Sequence, residues 1–217
     1  MNYQNIYNKD YFSGKNSFFY KLGYGNYAKK LYFDNLFKPL NPYINTLTTG
    51  KVLDVGCAYG FLLQRFPSSF KKFGIDVSEY AITVAKKRLP SETFIALGAE
   101  YTLPFPEETF DIVICNDVLE HLMNPANALE NIMKVLKKDG ILYITTPNMN
   151  LIRKKIFHYA DKKEHHVSLF SHKDMLNLLQ KIGFRIIQHW TFVTFTLFFF
   201  ARFKSSAGTE SAYICTK

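Results

Sequence analysis

Two acidic residues, Asp54 and Asp76, stand at the ends of apolar stretches that are typical of buried strands. Small residues follow the first acid and leave room for a ligand to approach the backbone beside a helix N-terminus. An acid at the end of the second strand can accept both hydroxyls of a ribose. The pattern therefore indicates a nucleoside-containing cofactor, with an ordinary strand-turn-helix joint as the alternative. The small residues are Gly56, Ala58 and Gly60.

A nicotinamide dinucleotide fits this turn poorly. Its fingerprint needs glycines at positions 56, 58 and 61. Ala58 and Phe61 stand at the second and third of these positions. The expected cofactor therefore contains a nucleoside but is not a nicotinamide dinucleotide.

Four short motifs follow one another between Val52 and Asn148, a stretch that covers somewhat under half of the chain. They are Asp54-x-Gly56-x-Ala58-x-Gly60, Gly74-Ile75-Asp76-Val77-Ser78, Leu103-Pro104-Phe105 with Phe110-Asp111-Ile112-Val113, and Val118-Leu119-Glu120-His121 with Leu136-Lys137-Lys138-Asp139-Gly140. In this order they resemble class I S-adenosylmethionine-dependent methyltransferases, in particular the ubiquinone-biosynthesis O-methyltransferases and their small-molecule relatives. The resemblance implies S-adenosylmethionine as cofactor and methyl transfer to a small-molecule acceptor, with oxygen as the expected acceptor atom.

The strand ends and the resemblance together predict the residues that hold the cofactor. Many relatives carry an acid four places before the Leu-Pro-Phe triplet, where it contacts the adenine amino group, but Ala99 stands there in this chain. Glu100 is the neighbouring acid, and backbone groups of residues 98–100 could recognise adenine instead. Asn116 and Asp117 follow the fourth strand and face the crevice where open α/β sheets bind ligands. The predicted cofactor-binding residues are Asp54, Gly56, Cys57, Ala58, Gly60, Asp76, Val77, Ala99, Glu100, Asn116 and Asp117.

Histidines are the candidates for a catalytic base. Methyl transfer needs a nucleophile held in line with the methyl group, and a hydroxyl nucleophile benefits from a general base. His121, His165 and His166 lie in segments expected to border the pocket. His166 is preferred over His165 because the apolar residues after it indicate that the chain turns inward. A structural role for His121 and a solvated loop for His165-His166 are the alternatives.

No metal is predicted, but one group of residues is kept as an alternative cation site. In ubiquinone-type relatives a Glu-x-x-Glu-His cluster can hold a divalent cation. Asp117, Glu120 and His121 match it, with Asp in place of the first Glu. Acids three residues apart share one face of a helix and offer oxygen ligands that suit magnesium.

The elements predict an α/β fold with a Rossmann-like, doubly wound sheet and helices on both faces. Seven strands are expected, mostly parallel, with an antiparallel last strand. The predicted strands run near 51–55, 73–76, 93–96, 110–115, 141–146, 184–191 and 211–216. The predicted helices cover 24–37, 60–66, 79–89, 125–138 and 172–182.

One catalytic domain is expected at 51–217, preceded by an N-terminal arm and lid helix at 1–50. Residues 3–23 are rich in Tyr, Phe and Lys without a clean period, and they read as an arm with aromatic anchors. In related methyltransferases such a leading segment covers the cofactor; a plain packing helix is the alternative. Residues 149–170 are irregular and basic, and they are interpreted as an insertion that faces the substrate.

Composition limits the partners and the compartment. The 217 residues carry 27 basic and 18 acidic side chains, so anionic partners are compatible with the net charge of +9. The basic residues occur in scattered pairs, which a solvated surface also explains. The chain has no Asn/Asp-Pro-Pro-aromatic loop and no basic stripe, so no nucleic-acid partner is expected. Three cysteines without metal spacing indicate a reducing cytosol.

A peripheral membrane contact is a further hypothesis, on the inner face of the membrane. Met1 to Lys15 lacks an apolar signal core, so secretion is not expected. The longest apolar run, Trp190–Ala201, is shorter than the ~20 residues that span a bilayer. Residues 192–204, with Arg202 and Lys204, could dock on an anionic membrane. Packing under the closing strands or in a dimer interface is the alternative.

A binding or scaffold protein that keeps the fold without catalysis is the second functional hypothesis. It is motivated by Ala99 at the adenine position, by the absence of a securely identified base, and by the Phe-rich segment. Binding of S-adenosylhomocysteine, the demethylated product, at normal strength would count against it.

Overall fold

A central sheet of eight strands organises the parts of the chain that the computed structural model describes, residues 3–27, 30–195, 199–203 and 206–217. The strands are β1 Gly50–Val55, β2 Phe70–Asp76, β3 Thr93–Ala96, β4 Phe110–Asn116, β5 Leu136–Pro147, β6 Arg185–Phe195, β7 Phe199–Phe203 and β8 Glu210–Thr216. Their order across the sheet is β3-β2-β1-β4-β5-β8-β6-β7.

Helices flank the sheet and begin at residues suited to capping. Ser78, Asn124 and Ser171 each accept a hydrogen bond from a first-turn backbone N–H, as N-cap side chains do. The helices are α1 Tyr3–Ile6, α2 Lys9–Phe12, α3 Tyr24–Tyr27, α4 Lys30–Phe37, α5 Asn41–Ile44, α6 Glu79–Arg88, α7 Pro125–Val135, α8 Leu151–Ile156, α9 His158–Lys163 and α10 His172–Ile182. None of these helices is long and apolar enough to cross a membrane.

The strand order creates the crevice in which a ligand can bind. β1 pairs in parallel with β2 on one side and with β4 on the other, so the order reverses at β1. The carboxyl ends of all three strands therefore meet at one edge of the sheet. Both faces are covered, because Val52 and Ile112 pack with the arm and α6 while Leu53 and Val113 pack with α7 and α10. The doubly wound α/β fold is confirmed.

The antiparallel last strand is also confirmed, but the predicted count of seven strands is wrong. β8 runs antiparallel to both β5 and β6. The strand that was not predicted is β7. It pairs antiparallel with the end of β6, from Thr191↔Phe203 to Phe195↔Phe199. Aromatic and β-branched residues extend β6 beyond its predicted end, as their strand preference allows. Of the segment proposed for membrane contact, residues 196–198 and 204 lie outside the described residues.

Two predicted helices are shorter than expected. The segment 60–66 forms only a 3-10 turn at Leu63–Arg65, surrounded by buried Phe61 and Phe66. α7 ends at Val135, and Leu136 already belongs to β5. Asp139 adopts a positive φ of 59°, and the β4–β5 register shifts at this point. The Asp-Gly pair therefore marks an irregularity inside β5 and not the end of the helix.

Candidate functional site

A cavity of about 640 Å³ opens at the carboxyl ends of β1, β2 and β4. Its walls come from these strand ends, from the N-terminal arm and from the segment between β5 and α10. Gly60 is not part of the lining. The predicted cofactor-binding residues that line the cavity are Asp54, Gly56, Cys57, Ala58, Asp76, Val77, Ala99, Glu100, Asn116 and Asp117.

The turn after β1 has a backbone shape that explains its small residues. Gly56 has a φ of 76°, and a Cβ atom there would lie 2.2 Å from Cγ2 of Val118. Ala58 also has a positive φ, and its N–H donates to Oδ2 of Asp76 over 2.9 Å. Asp76 thus holds the turn of the neighbouring strand in place while its carboxyl lines the cavity.

Asp76 keeps hydrogen-bonding capacity for a ligand. Its Oδ1 accepts the N–H of Ser78 over 2.8 Å, and each carboxylate oxygen has a second lone pair for a hydroxyl. Burial raises the pKa of Asp76 to about 6, although the N–H groups of Ser78 and Ala58 favour the charged form. Asp54 is also buried, and burial together with the Asp76 charge raises its pKa. A bound ammonium group would favour ionisation of this pair.

The sequence predicts that Asp76 binds the ribose hydroxyls of a nucleoside. On that prediction, affinity for S-adenosylhomocysteine should fall with acidification, because hydroxyls donate to the ionised carboxylate. With a pKa of about 6 for Asp76, the ionised fraction falls through pH 6, and binding at pH 5 is expected to be about tenfold weaker than at pH 8. Calorimetric titration across this range measures it. Asp76→Asn should bind weakly with no such slope, and a flat profile for the wild-type protein would contradict the assignment.

The side-chain amide of Asn116 has hydrogen-bonding capacity available to a polar ligand in the cavity. Both polar atoms of its side-chain amide are buried and have no hydrogen-bond partner among the described residues. An unsatisfied buried amide costs about 1–3 kcal/mol, which a ligand with a donor and an acceptor would recover. Together with the open turn and the two buried carboxyls, this amide fits S-adenosylmethionine, which carries a nucleoside and an amino-acid end.

Glu100 lines the cavity but uses its carboxylate for protein contacts. Its Oε2 accepts the hydroxyl of Tyr3 over 3.0 Å, and its Oε1 accepts the N–H of Asn124 over 2.6 Å. The side chain therefore joins the arm to the start of α7. Both carboxylate oxygens are thus held by protein donors, so backbone groups near Ala99 are better placed to recognise adenine.

Asp117 joins the arm to the strand ends. Its Oδ1 accepts the hydroxyl of Thr145 over 2.8 Å, and its Oδ2 accepts the hydroxyl of Tyr32 over 3.5 Å. Burial raises its pKa, against the opposing hydrogen bond from Thr145. Asp117 adopts a φ of 53°, and the residues after it form a 3-10 turn, so the expected helical face shared with Glu120 does not form.

His121 is half-buried in the cavity wall as a neutral ring. Burial, and next the neighbouring His166, lower its pKa well below the usual value. Its Nδ1 lies 2.7 Å from the hydroxyl of Tyr7, whose own pKa burial raises. The phenol therefore keeps its proton and has two contacts, with Nδ1 of His121 and with the Glu164 carbonyl at 3.5 Å. Donation to Nδ1, the shorter contact, places the hydrogen of His121 on Nε2.

His166 differs from His121 in the partner of its Nδ1 atom, which is a carboxylate. Its Nδ1 lies 2.8 Å from Oδ1 of Asp161, which is buried. Burial opposes ionisation of Asp161, but hydrogen bonds from His166 and Arg153 outweigh it and lower the pKa. The carboxylate therefore accepts the Nδ1 hydrogen of His166, which in the neutral ring places the lone pair on Nε2.

Arg153 fixes Asp161 and Glu210 in the same wall. Its Nη2 and Nε donate to the two oxygens of Asp161 over 2.6 and 3.2 Å, and its Nη1 donates to Oε1 of Glu210 over 2.6 Å. Although burial opposes its charge, the two carboxylates raise the pKa of Arg153. The sequence does not predict this cluster, because Asp161 lies within α9 while Arg153 and Glu210 come from separate elements.

His165 does not reach the cavity. It adopts a positive φ of 59° and is exposed, whereas the adjacent His166 lines the cavity. The preference for His166 thus matches the placement, and the expectation that His165 borders the pocket is wrong. The left-handed turn at His165 sends the two neighbouring rings in different directions.

Glu120, His121 and His166 form a cluster that could hold a cation. One potential ligand atom from each lies within 4.8 Å of the others. The triplet considered from sequence had Asp117 in place of His166, which comes from a distant segment. Three protein ligands with room for a further one are typical of an open metal site.

The arm is fastened to this wall by one buried carboxylate, Glu164. Its Oε2 accepts the hydroxyl of Tyr11 over 2.8 Å, and its Oε1 accepts the hydroxyl of Ser17 over 2.7 Å. The backbone N–H groups of Phe18 and Phe19 also donate to Oε1. A single side chain therefore collects four donors from residues 11–19.

Glu164→Ala should release the arm without unfolding the sheet. Loss of charge-assisted hydrogen bonds worth about 1.5–3 kcal/mol each should speed cleavage by trypsin after Lys15 and Lys21 at least about tenfold. Limited proteolysis with mass spectrometry measures the rates. Glu130→Ala, which removes an exposed carboxylate from α7, is the matched control. Equal cleavage of the two variants would show that Glu164 does not hold the arm.

A family model described as "Methyltransferase domain" matches residues 24–189. The chain belongs to this methyltransferase family, whose cofactor is S-adenosylmethionine. A cavity at the carboxyl ends of a sheet of this order, with an acid closing β2, is also the arrangement found in class I S-adenosylmethionine-dependent methyltransferases.

Relatives and solved structures agree with this membership. A ubiquinone biosynthesis O-methyltransferase of Glaesserella parasuis is 35% identical over 132 residues, which cover 52% of this chain and 56% of the relative. One from Hydrogenovibrio crunogenus is 30% identical over 135 residues, covering 60% and 52%. The chain thus spans about half the length of these curated relatives.

The fold is shared with crystal structures of S-adenosylmethionine-dependent methyltransferases. One from Thermotoga maritima, described as a possible histamine N-methyltransferase, has a TM-score of 0.69 and 18% identity, with coverage of 88% of this chain and 91% of that one. One from Archaeoglobus fulgidus has a TM-score of 0.66 and 20% identity, with coverage of 89% and 99%.

Proposed function

We propose that the protein transfers the methyl group of S-adenosylmethionine to an oxygen atom of a small-molecule acceptor. The observation that carries the proposal is the pairing of His166 with Asp161, which leaves Nε2 as a base in the cavity that also holds Asp76 and Asn116. The names of the ubiquinone O-methyltransferase relatives support oxygen as the acceptor atom.

The strand ends hold the cofactor in this proposal. Asp76 accepts the ribose hydroxyls, the amide of Asn116 pairs with a polar group, and Asp54 faces the ammonium group. When bound, S-adenosylmethionine supplies a methyl group on a sulfonium sulfur, which leaves as a neutral thioether. The turn at Gly56 to Ala58 lets the amino-acid end approach the backbone.

The acceptor end of the cavity is lined mainly by rings. The arm contributes aromatic residues such as Tyr11 and Phe18, and Phe157 and Phe192 also belong to the lining. Ring faces stack on planar apolar molecules and exclude water. This lining favours a phenolic acceptor. The arm at 1–50 then covers the cavity, and the segment 149–170 contacts the acceptor.

His166 performs the proton transfer. Its Nε2 accepts the hydrogen of the acceptor hydroxyl, which makes the oxygen a stronger nucleophile. Asp161 holds the ring and stabilises the imidazolium that forms, and Arg153 keeps Asp161 ionised.

Three free, buried cysteines support a reducing compartment, and we place the reaction in the cytoplasm.

The test combines binding with turnover. S-adenosylhomocysteine is titrated calorimetrically, and radiolabelled S-adenosylmethionine is offered with a panel of phenols, catechols, quinol precursors and sugars. Binding together with a labelled methyl ether is expected. Labelled amines alone would overturn oxygen as the acceptor atom, and binding without turnover on any acceptor would favour the scaffold alternative.

A chelator separates base catalysis from cation catalysis. Turnover should persist in EDTA, because His166 needs no metal to accept a proton. Loss of turnover that magnesium restores would assign Glu120, His121 and His166 to a cation.

A further inference from the structure

The two helices after β5 have faces of opposite character. Arg153 and Phe157 point inward and line the cavity, whereas Ile152, Ile156 and Tyr159 point outward and are 48%, 64% and 69% exposed. Ile152 and Ile156 are four residues apart and share one side of α8, and Tyr159 follows in α9. α8 and α9 therefore present an apolar strip to solvent directly behind the acceptor wall.

The exposed charged side chains of α8 and α9 are basic, whereas Lys15 of the neighbouring arm is paired with Asp10 over 3.3 Å. Lys154, Lys155 and Lys162 are exposed and Lys163 is partly so. The acidic residues of the segment 149–170, Asp161 and Glu164, are buried at 3% and 1% exposure and bonded to inward groups. The outer face thus carries positive charge alone.

A shallow groove lies beside the strip. Its volume is about 680 Å³, and its lining includes Lys15, Tyr159, Lys162, Lys163 and His165. The ring of Phe18 packs against that of Tyr159 at 6.0 Å, so the arm continues the same surface. Lysines around an aromatic ring suit anionic headgroups, and the neighbouring isoleucines suit the acyl boundary.

We propose that the outer face of α8 and α9 docks on the surface of an anionic phospholipid bilayer. Apolar side chains framed by lysines have the charge and polarity that this partner requires. Docking places the wall that contains Arg153 and Phe157 next to the bilayer, within reach of an acceptor that carries a lipid tail. This face differs from the 192–204 segment, in which Phe192 is buried and lines the cavity.

Co-sedimentation with vesicles tests the charge requirement. The full chain should sediment with vesicles of phosphatidylcholine and phosphatidylglycerol and stay in the supernatant with phosphatidylcholine alone. Lys162→Glu/Lys163→Glu should weaken binding about thirtyfold or more. Lys86→Glu/Lys87→Glu makes the same change in net charge in the last turn of α6, at the opposite edge of the sheet, and should bind nearly as the wild type does.

The apolar requirement has its own matched pair. Ile156→Ser should weaken vesicle binding about tenfold, because the side chain loses its place in the acyl boundary. Ile187→Ser changes an exposed residue near the start of β6, away from the helices that follow β5, and should have little effect on vesicle binding. Equal losses in the α6 control, equal binding to neutral vesicles, or no binding by the wild type would each overturn the proposal. These readouts do not depend on methyl transfer, so they stand apart from the proposed function.

Discussion

Replacing Arg153 with methionine is expected to lower the free energy of unfolding by about 3–5 kcal/mol at pH 8. Arg153 is 1% exposed, and its guanidinium is bonded to Asp161, to Glu210 and to the carbonyl of Thr209. Methionine fills similar volume but leaves the two carboxylates without a counter-charge. Removal of one partner from a buried ion pair costs far more than the pair contributes in net stability.

The loss should depend on pH in a defined direction. Burial raises the pKa of Glu210 to about 7 even with Arg153 present. In the variant both carboxyls have folded-state pKa values above those of the unfolded chain, so their burial is tolerated at low pH and costs stability as pH rises. The difference between variant and wild type should therefore be smaller at pH 5 than at pH 8.

Chemical denaturation at the two pH values measures both effects. Lys155→Met changes an exposed residue two positions away on the same helix and should alter stability by less than about 0.5 kcal/mol. A similar small change in Arg153→Met, or a larger loss at pH 5 than at pH 8, would show that the guanidinium does not neutralise this wall.

The parts of the site built from strand ends could be predicted from sequence. Asp54, Asp76 and Asn116 each stand at or near the end of an apolar run, and parallel strands bring such ends to one edge. That rule depends on local pattern and topology alone. It explains why ten of the eleven proposed cofactor residues line the cavity.

The wall that the arm and residues 149–170 form could not be predicted residue by residue, because it depends on contacts between distant segments. Tyr7 meets His121 across 114 positions, and Tyr11 meets Glu164 across 153. The apolar residues after His166 favour it as the inward ring of the pair. The sequence does not show the left-handed backbone at His165, which turns the two rings in different directions.

β7 was missed for a related reason. Its residues resemble an apolar loop or membrane contact as long as β6 is assumed to end at Thr191. Once β6 continues to Phe195, the following chain can return as a hairpin strand and pair with it. The length of β6, and not the composition of the following segment, decides between a hairpin strand and an apolar loop or membrane contact.

His166→Asn is expected to lower kcat about 10²- to 10⁴-fold on the acceptor found by the panel assay, with little change in KM. The asparagine Nδ2 can still donate to Asp161, so the ion cluster keeps its hydrogen bond, but the base at Nε2 is gone. Steady-state kinetics and S-adenosylhomocysteine titration are measured together. Binding should be retained, because proton removal contributes only in the transition state.

His165→Asn makes the same change one position earlier on an exposed side chain and should leave kcat within a factor of about two, since surface changes rarely disturb a site. Equal activity of the two variants would remove His166 from the mechanism. Parallel loss of activity and of S-adenosylhomocysteine binding in His166→Asn would assign it a structural role.

Asp161→Asn tests whether the carboxylate sets the tautomer of the base. The carboxylate can only accept, so it holds the hydrogen on Nδ1 of His166 and leaves Nε2 free. An asparagine amide can donate to Nδ1 instead, which moves the hydrogen to Nε2 and removes the base. Nitrogen NMR of His166 should show this exchange together with a fall in kcat of about tenfold or more, and Asp161→Glu should restore part of both. An unchanged tautomer with reduced activity would mean that Asp161 acts only through the stability of the Arg153 cluster.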